Sequence, residues 1–225
     1  MSKNHIIIFV SLLSCGLLFW VEQILLVDYY IKTGTKIVLF VGIPLLYFLL
    51  IRSSIKDGLF NLRSINKRDL IISLGFGLLA FSIISIAYWI LKDFIDLQSI
   101  ANEMQEKSNI TPSIYLFVAL YITLGNSFLE EFFFRGFIFV NLYKHGLKKT
   151  AYIFSSLLFS VYHLAIFVTW FDIQLLLLAL FGLFAVGFLF NWLNRNSNSF
   201  INSWIVHLFA DIAIVIIGFK MFGMI

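Results

Sequence analysis

Six ionisable residues, in three short groups, could together activate water inside an otherwise apolar chain. They are Glu130, Glu131, Arg135, His163, His207 and Asp211. Carboxylates and imidazoles exchange protons readily, so such a set suits general acid–base catalysis or the binding of a metal ion that activates water. An ionised side chain at membrane depth costs roughly 2.5 to 3.5 kcal/mol even on lenient insertion scales. These residues therefore need partners, and their placement indicates a function.

Helical spacing pairs four of these residues. Glu131 and Arg135 are four positions apart, as are His207 and Asp211, so the members of each pair face the same side of a helix. A guanidinium would keep the Glu131 carboxylate ionised and fix its orientation. A purely structural ion pair is an equally good interpretation of Glu131 and Arg135. Glu130, about 100° further round the helix, is predicted to be the freer acid and to face another neighbour.

Two mechanisms of water activation fit this set, and the sequence leaves both open. In the first, Glu130, His163 and His207 are the two-histidine, one-carboxylate ligands of a catalytic Zn²⁺, with Glu131 or Asp211 supporting the ligands. In the second, no metal is needed. Glu130 takes a proton from water, His163 shares that proton, and His207 donates a hydrogen bond to the oxyanion.

The composition indicates the class of protein that holds this site. Of the 225 residues, 61% are hydrophobic and 12% are charged, whereas soluble domains are about half apolar and a quarter charged. The 27 phenylalanines follow no alternating pattern of the kind that marks a membrane barrel. Cys15 is the only cysteine, so an intrachain disulfide is excluded. The sequence predicts an all-α, polytopic transmembrane helical bundle embedded in a lipid bilayer.

Apolar stretches of near twenty residues predict about seven spans, with six to eight as the range. The stretches are Ile6–Val27, Ile37–Ile51, Leu70–Leu91, Ser113–Arg135, Thr150–Trp170, Ile173–Leu193 and Phe200–Ile217. Within one integral domain, residues 1–112 are predicted to form N-terminal transmembrane helices and an extracytoplasmic loop. Residues 113–225 are predicted to form the catalytic transmembrane core.

Basic residues between alternate spans predict the orientation of the chain. They are Arg52, Lys56, Arg63, Lys67, Arg68, Lys144, Lys148, Lys149 and Arg195. Because cytoplasmic loops are enriched in Lys and Arg, these loops and the N-terminus are expected in the cytoplasm. The protein is expected in the plasma membrane. Since the basic residues lie between apolar spans, no nucleic acid is expected as a partner. Counted along continuous helices from this basic edge, Glu130, His163 and His207 each lie about 20 Å deep, so they are expected at one level.

In sequence order the candidate residues form three motifs. They are Glu-Glu-x-x-x-Arg at 130–135, Phe-x-x-x-His at 159–163 and His-x-x-x-Asp at 207–211. This ordered set, over about residues 116–213, resembles the CPBP intramembrane proteases, the family of CAAX prenyl proteases and bacteriocin-processing enzymes. The resemblance implies an α-helical intramembrane endopeptidase, and some members of the family are grouped as metalloproteases. It also implies that Glu130 and His163 activate water while His207 and residue 211 stabilise the oxyanion. An ionised Asp211 cannot donate to an oxyanion, so here it is expected to orient His207 or support a metal.

The expected function is therefore a membrane-embedded protease that cleaves peptide or membrane-associated protein substrates, in bacteriocin self-immunity or peptide maturation. Two alternatives from other classes stay open. One is a non-catalytic immunity or regulatory protein that binds a peptide or a sensor kinase. The other is a proton-coupled transporter that uses Glu130 and His163 as a relay, which the lack of a visible internal repeat disfavours.

Overall fold

The structure, a computed structural model, describes residues 2–25, 27–51, 66–197 and 199–225, and within these ranges the chain forms helices and no β-strand. The helices are α1 (Lys3–Gln23), α2 (Tyr29–Leu50), α3 (Lys67–Phe94), α4 (Leu97–Ser108), α5 (Pro112–Lys144), α6 (Lys148–Phe167), α7 (Ile173–Asn194) and α8 (Ile201–Met221). All except α4 are long and apolar enough to cross a membrane, so the described residues hold seven candidate spans. The predicted all-α transmembrane bundle is confirmed.

The second span differs from its prediction, because α2 begins at Tyr29 rather than at Ile37. Asp28 caps the helix, since its carboxylate accepts a hydrogen bond from the N–H of Ile31 at 3.0 Å. A count of apolar residues misses the first part of this helix, Tyr29–Ile37, because it contains Lys32 and Lys36. Three of the basic residues that predicted the orientation lie outside the described residues: Arg52, Lys56 and Arg63.

Helix α5 lies at the centre of the bundle, where α1, α2, α6, α7 and α8 all pack against it. Every residue from Glu131 to Val140 is buried. Aromatic rings fill much of the surrounding core, and the rings of Phe40 on α2 and Phe133 on α5 stack with their centroids 4.1 Å apart. A helix that is enclosed on all sides can hold charged side chains only if its neighbours supply their partners.

The helices that carry the candidate residues are irregular beside them. Helix α5 is π-helical over Tyr121–Asn126 and again over Glu131–Val140. Helix α6 is interrupted at His163, whose N–H bonds to the carbonyl of Ser160 at 3.1 Å. Short π-helical segments and broken turns redirect side chains and are frequent at functional sites. The backbone irregularities therefore lie where the sequence places its acids and histidines.

The N-terminus lies at the end of the bundle where α5 and α6 meet. The side-chain oxygen of Asn4 accepts a hydrogen bond from Nδ1 of His145 at 2.5 Å. His145 follows Lys144 directly and precedes Lys148, so α1 begins beside one of the basic turns. This arrangement agrees with the predicted orientation, while the assignment of that end to the cytoplasm stays a prediction.

One close helix contact yields a stability prediction. At Gly218 of α8, a Cβ atom would overlap the hydroxyl group of Tyr115 on α5. Gly218→Ala should therefore lower the thermal unfolding midpoint of the detergent-solubilised protein, because overpacking a well-packed contact costs about 1–3 kcal/mol. Gly182→Ala on α7 is the matched control, since nothing lies within 4 Å of its Cβ position. Equal midpoints for the two variants would contradict the close approach.

Candidate active site

Glu131 lies at the centre of a fully buried hydrogen-bond network that joins α5 to α8. Its Oε1 accepts from the Arg135 guanidinium at 2.9 Å and from Nδ1 of His207 at 2.9 Å. Its Oε2 accepts from the hydroxyl of Ser203 at 2.5 Å. The expected pair of Glu131 and Arg135 is present. With donors on both oxygens, Glu131 is held in one position and keeps little capacity for a further proton or substrate contact.

Arg135 is fully buried and is held by aromatic rings as well as by Glu131. The centre of its guanidinium lies 4.0 Å from the ring centroid of Phe159 and 4.8 Å from that of Phe190. Guanidinium groups stack favourably on aromatic faces, and the attraction grows when water is excluded. Arg135 therefore acts as the buried counter-charge of Glu131 and connects α5 to α6 and α7.

Glu130 is also buried, but its two oxygens face different surroundings. Oε1 accepts from the ammonium of Lys36 at 2.6 Å and from the amide nitrogen of Asn126 at 3.0 Å. Oε2 lies 3.8 Å from Nε2 of His163 and 3.8 Å from Nε2 of His207. Glu130 thus presents one oxygen to two imidazoles, while Lys36 and Asn126 hold the other.

The two histidines are oriented by their Nδ1 atoms. Nδ1 of His163 donates to the carbonyl oxygen of Phe159 at 2.7 Å, and Nδ1 of His207 donates to Glu131 at 2.9 Å. An acceptor at Nδ1 fixes the proton there and leaves Nε2 for the reacting groups. Both rings accordingly turn Nε2 towards the same carboxylate oxygen of Glu130, and α5, α6 and α8 meet at one point.

Asp211, which the sequence predicted to orient His207 or to support a metal, lies beside the ring of His207. Its Oδ1 lies 3.7 Å from Nε2, which is the ring nitrogen that faces Glu130, whereas Glu131 holds Nδ1. The spacing of four residues does bring Asp211 beside His207. Which nitrogen it faces depends on the angle at which α8 crosses α5. Asp211 therefore places a buried carboxyl group on the side of His207 that faces Glu130.

His207 lies beside Glu130 and His163 as predicted, but a shorter stretch of helix precedes it than the prediction assumed. Counting from Arg195 placed His207 as deep as the other two groups. Helix α8, however, begins at Ile201, only about 9 Å before His207 along the helix axis. Ser199 and Phe200, in the turn before it, are fully buried. The two residues directly before α8 are thus packed inside the protein, and the expected convergence is present.

Sequence reasoning missed three residues that contact the acids: Lys36, Asn126 and Ser203. A serine or an asparagine in an apolar helix gives no distinct signal, although Asn126 lies four residues before Glu130 and could have been noticed. Lys36 lies directly before Ile37, where the second span was predicted to begin, and was not included in it. Because it comes from the predicted N-terminal segment, the site draws on both parts of the predicted division at residue 112.

The fit of a metal ion can be tested on these distances. Among the residues that the structure describes, no group of three or more His, Cys, Asp or Glu side chains is arranged to hold a metal. The proposed ligands Glu130, His163 and His207 are close to one another, but a divalent ion on Glu130 would share it with the ammonium of Lys36, 2.6 Å from Oε1. Like charges repel strongly where water is scarce. The residues therefore fit a metal-free site better than a metal site.

The fold and the site define a multi-pass helical membrane protein with a buried acid–histidine centre. The family model described as Type II CAAX prenyl endopeptidase Rce1-like matches residues 112–213. This segment holds all six candidate residues, so the resemblance to the CPBP intramembrane proteases is confirmed over it. The match supports the class of membrane-embedded endopeptidase. No curated protein and no solved structure matches the chain.

Removal of the Glu131 charge should destabilise the protein. Glu131→Gln leaves the buried guanidinium of Arg135 without a counter-charge, and breaking a buried pair in this way costs about 3–5 kcal/mol. Glu103→Gln is the matched control, because it breaks the more exposed pair with Lys107 (2.8 Å), which should contribute no more than about 1 kcal/mol. Thermal unfolding in detergent measures both variants. Equal, small losses would show that the Glu131 network is not a major source of stability.

Metal analysis tests the zinc alternative directly. We expect the purified protein to hold no stoichiometric zinc after dialysis against a chelator, because Lys36 already compensates Glu130. Elemental analysis of the wild type and of His163→Gln gives the measurement. One zinc per chain in the wild type, lost in His163→Gln, would establish a zinc site that depends on His163 and would contradict the metal-free mechanism.

Proposed function

We propose that this chain is an intramembrane endopeptidase that hydrolyses a peptide bond with water activated by Glu130 and His163. One observation carries the proposal: a carboxylate oxygen on α5 lies 3.8 Å from Nε2 atoms on both α6 and α8, in a buried site. These distances are too long for direct hydrogen bonds, and one water molecule can bridge them. The family match over residues 112–213 supports the same chemistry.

The proposed reaction uses Glu130 and His163 as the proton acceptor and the proton carrier. Water loses a proton to Oε2 of Glu130 while its oxygen attacks the carbonyl carbon of the scissile peptide. His163 then helps to pass this proton to the leaving nitrogen, and the carbon–nitrogen bond breaks. One water molecule is consumed, and one carboxyl group and one amine are formed. General acid–base catalysis of this kind accelerates reactions by about 10²- to 10⁴-fold.

His207 is proposed to stabilise the oxyanion that forms during attack. A proton on Nε2 could be donated to this oxygen, while Nδ1 remains bonded to Glu131. The positive charge on a doubly protonated His207 would be compensated by Glu131 and by Asp211, whose Oδ1 lies 3.7 Å from Nε2. The role of Asp211 is therefore electrostatic, since an ionised carboxylate has no proton to donate.

The proposed substrates are peptides or membrane-associated proteins, because a scissile bond must reach a site enclosed by membrane-spanning helices. We place the protein in the plasma membrane with a cytoplasmic N-terminus, as the distribution of basic residues predicts. Bacteriocin self-immunity or peptide maturation is the proposed context. Lipid is the expected surrounding of the outer helix faces, where large apolar side chains such as Leu49, Phe117 and Phe181 are exposed.

Replacement of either proton-handling group should abolish cleavage. Glu130→Gln and His163→Gln should each reduce proteolysis by at least about 10²-fold, because each removes a general acid–base group. The measurement compares new peptide N-termini in membranes that contain the wild type or a variant. Glu22→Gln is the matched control: Glu22 also pairs with a lysine, Lys32 at 3.0 Å, but lies outside the site.

Two variants are used so that a loss of activity can be distinguished from misfolding. Glu130→Gln leaves Lys36 without its counter-charge, whereas the Nδ1 bond of His163 goes only to a backbone carbonyl. Full cleavage by folded Glu130→Gln and His163→Gln proteins would end the proteolytic proposal. Protection against a bacteriocin by both inactive variants would favour the binding alternative, and proton-dependent flux in liposomes would favour the transporter.

A further inference from the structure

Lys36 is a buried cation in the middle of a membrane-spanning helix. It lies on α2, only 7% exposed, and outside the segment that the family model matches. A lysine so enclosed is rare, because its ammonium loses hydration that only strong partners can replace. The motifs of the family therefore give no account of it, and its contacts have to explain why it is there.

The N–H groups of the Lys36 ammonium have polar and aromatic neighbours. One donates to Oε1 of Glu130 at 2.6 Å, and another donates to the side-chain oxygen of Asn126. Two aromatic rings also lie beside the ammonium, with the centroid of Tyr162 4.9 Å and that of Phe40 5.5 Å from Nζ. An ammonium offers three donors, so these contacts leave Lys36 with one stable position.

The position of Lys36 determines how Glu130 is presented. Four side chains surround the carboxylate, and they divide between its two oxygens: Lys36 and Asn126 at Oε1, His163 and His207 at Oε2. With two donors on Oε1, rotation of the carboxylate is blocked. Oε2 is therefore the oxygen that meets water, and the carboxylate stays ionised because its charge is compensated by Lys36.

A purely structural ion pair is a poor explanation of this contact. Replacing a buried ion pair with apolar residues of similar size is often neutral or stabilising, so such pairs contribute little net stability. Helix α2 already packs on α5 through the stacked rings of Phe40 and Phe133. The ammonium instead places a positive charge at Oε1 and leaves Oε2 facing the two histidines.

We propose that Lys36 is a positioning residue of the active site, which holds Oε1 of Glu130, keeps the carboxylate ionised and presents Oε2 to the attacking water. This inference rests on the proposed function for its catalytic consequence. The geometry of the ion pair does not depend on it. Helix α2 is thereby part of the catalytic centre, together with α5, α6 and α8.

The test compares three variants of lysines on α2. Lys36→Met removes the charge and keeps the length of the side chain, and Lys36→Arg keeps the charge. Lys32→Met is the matched control, because Lys32 lies one turn away, is similarly buried and pairs with Glu22. The probes are an internally quenched peptide with a CAAX terminus, farnesylated or not, and the protein is the full chain in liposomes.

The kinetic readout separates positioning from a structural role. Lys36→Met should lower kcat by about 10²-fold with KM changed less than about threefold, since the interaction acts on the reacting water rather than on substrate binding. Lys36→Arg should recover kcat to within about tenfold of the wild type, and Lys32→Met should keep it within about threefold. Wild-type kcat in folded Lys36→Met protein, or loss in Lys32→Met equal to that in Lys36→Met, would overturn the proposal.

An infrared measurement makes the result independent of any substrate. At neutral pH, the wild-type spectrum minus that of Glu130→Gln should contain the carboxylate bands of Glu130. In Lys36→Met, with Lys36→Met/Glu130→Gln as its reference, the band of a protonated carboxylic acid should replace them. An unchanged carboxylate in Lys36→Met would refute the role of Lys36 even if both probes are cleaved. The expected band shift without cleavage of either probe would support the ion pair and count against an endopeptidase that accepts CAAX peptides.

Discussion

Two adjacent carboxylates on one buried helix must each find a separate partner, and this requirement organises the bundle. Successive residues point about 100° apart, so Glu130 and Glu131 meet different cations, Lys36 and Arg135, while His207 lies near both. Glu131 pairs with Arg135 on its own helix and with His207 on α8. Glu130 pairs with Lys36 on α2. Compensation of the two charges therefore links both α2 and α8 to α5.

The two carboxylates differ in how completely their hydrogen-bonding capacity is used. Both oxygens of Glu131 receive donors, whereas Glu130 has donors on Oε1 and faces two imidazoles with Oε2. A satisfied buried network is rigid, and a rigid neighbour can hold a reacting group in place. Glu131 thus orients His207, and only Glu130 keeps an oxygen for chemistry. Neighbouring residues of one type acquire different roles from their surroundings.

Local spacing predicted what lies on one helix and failed where helices meet. The seven spans follow from hydropathy. The pair of Glu131 with Arg135 follows from their spacing of four residues in a helix. Both features can be read from the sequence. The nitrogen of His207 that Asp211 faces depends on how α8 packs, and spacing carries no information about that angle. Lys36 was missed because its partner lies 94 residues away and because a hydropathy count ends a span at a lysine.

The origin of Lys36 bears on which part of the chain can form a working site. The motifs lie within residues 112–213, yet the counter-charge of Glu130 comes from α2, outside that segment. Without α2, Glu130 would be a buried carboxylate with Asn126 as its remaining donor at Oε1, and such a group tends to take up a proton instead of staying ionised. A protonated Glu130 could not accept a proton from water. Under the proposed mechanism, the N-terminal helices therefore contribute to the chemistry of the centre as well as enclosing it. A segment that keeps every motif but lacks α2 would then lack an ionised base.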